Sequence, residues 1–223
     1  MIDTVLFDFV NTIAYSSPRR EDILYDFIAN INAPFVDKNR IIHAFKKIDD
    51  LKPYSSVNIQ SPHEKKEFYS SYNKMLLAEL GIVSKKDFYD YYKNIQRKWI
   101  LDDKCVSVLT SLKKRGRRIG VISNFDRNLR GIINDLGIIE FIDFLVISQE
   151  IGLEKPNIEF YKYVQSCYNI DITKTIYVGD SYSLDYLPAR KIGIKSYLID
   201  KSKYYTNVQG TIDCLSKILY DVT

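Results

Sequence analysis

The sequence predicts an α/β protein: a mostly parallel sheet with helices on both faces, and a helical module inserted after the first strand. Three observations predict it. Five short apolar runs, at 4–7, 118–122, 144–147, 175–178 and 196–199, are continuous rather than alternating, as strands covered on both faces must be. Amphipathic helical patterns separate the later four, and strand–helix alternation implies parallel pairing. Residues 16–100 break that alternation and read as helices only.

Taken in order, the first strand lies in the stretch TVLFDFVNTIA (4–14) and stops abruptly on Asp8. Amphipathic segments follow at roughly 22–30 and 38–50. Ser61, Pro62 and Glu64 then supply an N-cap, a proline for the first turn and a capping-box acid for a helix that runs to Leu80 and ends at Gly81. A further helix is expected from Ser84, with Asp87 three residues on, towards Trp99. The basic run KKRGRR (113–118) falls at a helix end just before the second strand, where cations favour the helix dipole. Helical patterns at 126–136 and 183–192 end in Gly137 and Gly193, where a left-handed cap belongs. The helix at 158–168 follows Pro156. These features place a core domain at 1–15 and 101–223 and an α-helical domain at 16–100.

The chain has 223 residues, ample for a buried core. Its composition, 46% hydrophobic and 27% charged, is that of a globular protein. The net charge of +4 is mild and no clustered basic patch stands out, so no nucleic-acid partner is implied. No run of about 18 apolar residues offers a membrane span. No signal peptide is evident. Cys105, Cys167 and Cys214 are scattered and odd in number, and read as reduced thiols of a cytoplasmic protein.

In an open parallel sheet, ligands bind beyond the carboxyl ends of the strands. Those ends carry Asp8, then Ser123 and Asn124, then Lys155, then Asp180 with Asp185 five residues on. An isolated acid or serine after a strand is usually a cap or a turn former. Together the set suits phosphoryl transfer. A carboxylate can attack phosphorus, carboxylates and a carbonyl can hold Mg2+, and a hydroxyl and an ammonium can bind the remaining oxygens.

The residues DFVNT (8–12), Ser123 in VISNFD, Lys155 in LEKP and VGDSYSLD (178–185) resemble, in order and spacing, the four motifs of the haloacid dehalogenase-like hydrolase superfamily. VISNFDRNLRGI and VGDSYSLDY further resemble the branch of haloacid dehalogenase-like hydrolase domain-containing protein 3. The resemblance implies a Rossmann-like core, a helical cap at 16–100, and Mg2+ as cofactor. It implies a nucleophile at Asp8 and metal ligation by Asp8, the Val10 carbonyl and Asp180, with Asp185 orienting that site or binding the metal through water. It implies that Thr12, Ser123 and Asn124 contact the transferring group, while Lys155 neutralises charge beside Asp8. The implied partner is a small phosphorylated metabolite or similar anion, with no nucleic acid and no membrane.

Phosphatases of this superfamily carry a second acid two residues after the nucleophile. Here that position is Val10, which cannot move a proton. General acid–base catalysis is worth about 10²–10⁴-fold, so its loss should cripple ordinary phosphomonoester hydrolysis. The leading expectation is a phosphatase-like hydrolase acting through an aspartyl-phosphate with impaired acid–base chemistry. Alternatives are a non-catalytic protein that binds phosphorylated ligands, and a dehalogenase or phosphonatase-type hydrolase. In the helical module, Arg19-Arg20 could greet an anion or be solvated. Tyr89, Tyr91, Tyr92 and Trp99 could line a cleft or pack the bundle. His43 and His63 are the only histidines.

Overall fold

The computed structural model describes residues 1–54, 59 and 61–222. Among these, 1–15 with 99–222 form one compact unit, and 16–54 with 59 and 61–98 form a second.

In the first unit, six strands make one sheet in the order β5-β4-β1-β6-β7-β8. They are β1 (Thr4–Phe7), β4 (Arg118–Ser123), β5 (Phe144–Ile147), β6 (Thr175–Gly179), β7 (Lys195–Ile199) and the short β8 (Thr211–Ile212). Every pairing is parallel, with Leu6 opposite Gly120 on one side and Tyr177 on the other. Two further strands, β2 (Ala14–Ser17) and β3 (Lys98–Leu101), pair with each other. Helices of this unit are α5 (Cys105–Lys114), α6 (Leu129–Asp135), α7 (Ser148–Ile151), α8 (Ile158–Tyr168) and α9 (Leu187–Lys191).

Strand side chains alternate between faces, and the buried residues divide accordingly. Val5, Phe7, Val121 and Val178 pack in one cluster, while Leu6, Ile122 and Tyr177 pack in another with Phe160 and Tyr161 of α8. The chain starts at β1, builds outward through β4 and β5, then returns to the other flank of β1 as β6. The loops after β1 and β6 therefore leave from the point where strand order reverses, which is where such sheets bind ligands.

The second unit holds α1 (Arg20–Asn30), α2 (Lys38–Leu51), α3 (Pro62–Glu79) and α4 (Phe88–Tyr92). Its core is Leu24, Phe27, Ile41, Phe45, Leu76 and Phe88 with their neighbours. The capping box forms: Ser61 Oγ accepts from the Glu64 amide at 3.1 Å, and the Ser61 amide donates back to Glu64 Oε2 at 2.9 Å.

Several expected boundaries differ. The helix expected from Ser84 to Trp99 shrinks to α4, because the Ser84 hydroxyl closes a local turn on Lys86 while Asp87 caps the helix by accepting from the Tyr89 amide. Residues 98–101 enter β3 instead, a case of tertiary pairing overriding helical periodicity. So 16–100 is not purely helical. The helix expected at 183–192 begins as a π-helical turn, Tyr182–Tyr186, and α9 follows with Pro188 in its first turn. A proline there has no N–H to give to the preceding turn.

The basic run at 113–118 serves the fold. Lys113 pairs with Asp143 at 2.8 Å, and Arg115, Arg117 and Arg118 donate to the carbonyls of Leu219, Val222 and Tyr168. No helix among the described residues is long and apolar enough to cross a membrane. Cys105 is buried, and burial pushes its thiol up to about 12; Cys167 is exposed and Cys214 half-buried.

Candidate active site

β1 ends at Phe7, but its ladder reaches one residue further: the Asp8 amide donates to the Val178 carbonyl at 2.9 Å. The chain then folds tightly. The Phe9 carbonyl accepts from the amides of Thr12, Ile13 and Ala14, and Asn11 sits in the left-handed region at φ 57°, which asparagine tolerates better than most residues. This loop presents the buried Asp8 carboxylate at the strand end. Thr12 is buried and its hydroxyl finds no hydrogen-bond partner among the described residues, which is unusual for a buried polar group. Val10 is half-buried and packs on the apolar cluster of the core.

Four elements converge on Asp8. From the end of β4, Ser123 Oγ donates to Asp8 Oδ1 at 3.2 Å. From the loop before α8, Lys155 Nζ donates to the same oxygen at 2.6 Å. From the π-helical turn, Asp185 Oδ1 accepts from Lys155 Nζ at 2.6 Å, and its Oδ2 accepts from the Ser181 amide at 3.1 Å. From the end of β6, Asp180 completes a group in which Asp8, Asp180 and Asp185 each offer an oxygen within 4.8 Å of the others. Such a cluster of hard oxygen donors suits a divalent cation such as Mg2+.

Gly179 makes the approach possible. A Cβ there would overlap the Asp185 carboxylate, so only glycine lets the turn fold back over the strand.

Asn124 and Arg20 both bond to other groups of the chain. Asn124 spends both ends of its amide on the Lys155 backbone: Nδ2 donates to the Lys155 carbonyl at 2.8 Å, and Oδ1 accepts from its N–H at 2.9 Å. It clamps the loop that carries the lysine. Arg20 is committed to Asp49 through two bonds, at 3.2 and 2.6 Å, and stacks over Phe45 at 4.4 Å, so it is not a ready anion site. Tyr89 stacks on Tyr69, Tyr91 accepts from Asn30, and Trp99 packs on Phe9 and Phe125. His63 is exposed on α3, 3.6 Å from Glu67.

One site residue escaped the sequence reading. Tyr177 lies on β6 among buried apolar residues, yet its hydroxyl donates to Asp185 Oδ1 at 2.6 Å and accepts from Lys155 Nζ at 3.1 Å. The only signal was a phenol at an inward position two residues before Gly179.

Burial dominates the electrostatics. It raises the Asp8 carboxyl from 3.8 to about 6; Lys155 pulls it down, and Asp185 pushes it further up. Burial alone would lower the Lys155 ammonium, yet Asp185 and Asp8 together outweigh it and hold the group above its usual range.

The haloacid dehalogenase-like hydrolase family model matches residues 5–199. The chain belongs to that family. Haloacid dehalogenase-like hydrolase domain-containing protein 3 of Homo sapiens is 35% identical over 101 residues, which span 45% of this chain and 40% of the human protein. This chain therefore matches less than half the length of that relative. Glyceraldehyde 3-phosphate phosphatase of Methanocaldococcus jannaschii is 27% identical over 92% of this chain and 87% of its own length. Among solved structures, the HAD-hydrolase YfnB of Bacillus subtilis aligns with a TM-score of 0.66 at 16% identity, covering 100% of this chain and 99% of that one. It shares the fold.

Proposed function

We propose that this family member is a Mg2+-dependent, phosphatase-like hydrolase that acts through an aspartyl-phosphate on Asp8, with acid–base chemistry impaired by Val10. The observation that carries the reading is the convergence of three carboxylates with one ammonium and one hydroxyl at the strand ends. Asp8, Asp180 and the Val10 carbonyl would hold the cation, with Asp185 orienting the site. When bound, Mg2+ would screen the negative charge of the phosphoryl group.

An oxygen of Asp8 attacks phosphorus, and the bond from phosphorus to the leaving oxygen breaks, so that oxygen departs with its electron pair. Lys155 holds the Asp8 carboxylate in place and balances its charge, while Ser123 and Thr12 offer hydroxyls to the phosphoryl oxygens. Asn124 contributes by fixing the Lys155 loop. Val10 has no proton to give, so leaving groups that depart as stable anions, such as aryl oxides, are favoured over alkoxides. Water then attacks phosphorus, its proton passing to solvent for want of a base at position 10, and Asp8 is regenerated.

The archaeal relative named as a glyceraldehyde 3-phosphate phosphatase supports a small phosphorylated metabolite as substrate. The helical unit would act as the cap, with domains at 1–15 plus 101–223 and 16–100. Three cysteines without a disulfide accord with a cytoplasmic setting.

The test is Mg2+-dependent phosphate release from an aryl phosphate, which Asp8→Asn should abolish. Calorimetry should show weak Mg2+ binding that tightens with a phosphate mimic. Val10 also favours a second reading, a protein that binds phosphorylated ligands without turnover. Ligand-linked Mg2+ binding with no phosphate release would select it.

A further inference from the structure

We propose that Tyr177 is a positioning residue of this site: its hydroxyl ties the Lys155 ammonium to Asp185 and so fixes where Lys155 meets Asp8. The inference rests on the reading of Asp8 as the attacking group.

Strand geometry sets up the contact. Side chains of a strand alternate, so 177 and 179 share one face of the sheet. Gly179 has no side chain, and the Asp185 carboxylate occupies the space a Cβ would fill. One pleat back along β6, the Tyr177 ring rises on that same face and meets the carboxylate with its hydroxyl at 2.6 Å. The hydroxyl also accepts from Lys155 Nζ at 3.1 Å. An ammonium has three hydrogens to donate, and here they have three acceptors: Asp8 Oδ1, Asp185 Oδ1 and the Tyr177 oxygen. Each acceptor constrains one direction of the group.

The ring itself is held. Tyr161 meets it edge-on, with centroids 6.1 Å apart at 89°, and the Tyr161 hydroxyl donates to the Leu184 carbonyl at 2.6 Å, one residue before Asp185. Tyr177 is fully buried in an otherwise apolar cluster of Leu6, Ile122, Phe160 and Ala189. Phenylalanine would fill that space equally well. A buried hydroxyl costs free energy unless it is bonded, and among the described residues this one is bonded only to the two charged groups of the site. Its position is therefore explained by the site rather than by packing.

Tyr177→Phe keeps the ring and removes the tie. Outer-shell partners of this kind typically contribute about 10- to 100-fold to metal affinity or activity. The variant should fold, lower kcat on an aryl phosphate by about tenfold or more with KM unchanged, and weaken Mg2+ binding in calorimetry. The ammonium protons of Lys155, followed by 15N NMR, should exchange faster with water than in the wild type. A variant that matches the wild type in Mg2+ affinity and in ammonium exchange overturns the proposal and leaves Tyr177 a space filler. So does a variant that loses only thermal stability while kcat per folded molecule is unchanged. Should the wild type itself show no turnover, the hydrolase reading fails, and the calorimetric and NMR measurements still decide the role of Tyr177.

Discussion

Each of the two compact units builds one cluster from the same parts, a cation, a carboxylate and a tyrosine hydroxyl, and the two clusters differ in charge balance. In the helical unit, Arg20 meets Asp49 through a two-pronged contact, and Tyr72 donates to Asp49 at 2.6 Å. One cation faces one principal anion, with side chains 29% and 34% exposed. In the sheet unit, Lys155 serves both Asp8 and Asp185, Asp180 stands beside them, and the paired side chains are 2%, 7% and 1% exposed. There one cation bridges two buried carboxylates, and the half-buried Asp180 brings a third oxygen near theirs. A balanced, partly wet pair is a fastening. An unbalanced, buried one suits a further cation; the Asp8 carboxyl is raised to about 6 mainly by burial, with Lys155 opposing the rise and Asp185 adding to it.

The largest expected effect breaks the unbalanced cluster. Lys155→Met leaves Asp8 and Asp185 buried without their cation, and removing one partner of a buried pair costs about 3–5 kcal/mol. Urea unfolding should show that loss, and Mg2+ should restore more stability to this variant than it adds to the wild type. A variant equally indifferent to Mg2+ would show that the carboxylates do not hold the metal.

The next prediction adds charge to the same cluster. Val10→Asp should raise turnover of an alkyl phosphate by about 10²-fold, within the range of a restored general acid, and should remove any burst seen in stopped-flow assays of the wild type. If the variant folds and binds Mg2+ yet stays inert, the missing acid is not the only lesion, and the binding-protein reading leads.

A smaller effect is expected in the balanced cluster. Arg20→Met should cost about 1 kcal/mol, the upper end for partly exposed pairs, and Mg2+ should do nothing to recover it. The contrast with Lys155→Met is the measurement that sharpens the comparison. Smallest in consequence for the chemistry is Ser61→Ala, which removes a capping box from α3 and should cost about 1 kcal/mol by thermal unfolding without changing turnover on the aryl phosphate.

Much of this comparison was legible before any coordinates. The five continuous apolar runs gave the parallel sheet, because a strand buried on both faces has no polar positions to spare. Asp8, Ser123 and Asp180 stand out in the sequence because each ends or follows a strand, and strand ends of a parallel sheet share one edge. The Ser61 capping box was legible because its partners lie three residues apart. Local chemistry of that kind is written in adjacent letters.

What tertiary structure alone decided involves partners far apart in the chain. Residues 98–101 became β3 because β2 offered them a ladder, which no local propensity encodes. Asn124 bonds to the Lys155 backbone, 31 residues away, through both ends of its amide. Arg20 was absorbed by Asp49. Tyr177 reads in sequence as one more core aromatic, since only the fold brings a lysine 22 residues before it and an acid eight residues after it to the same hydroxyl. Periodicity records which face a side chain takes, whereas the charged groups that meet it there depend on how distant segments close together.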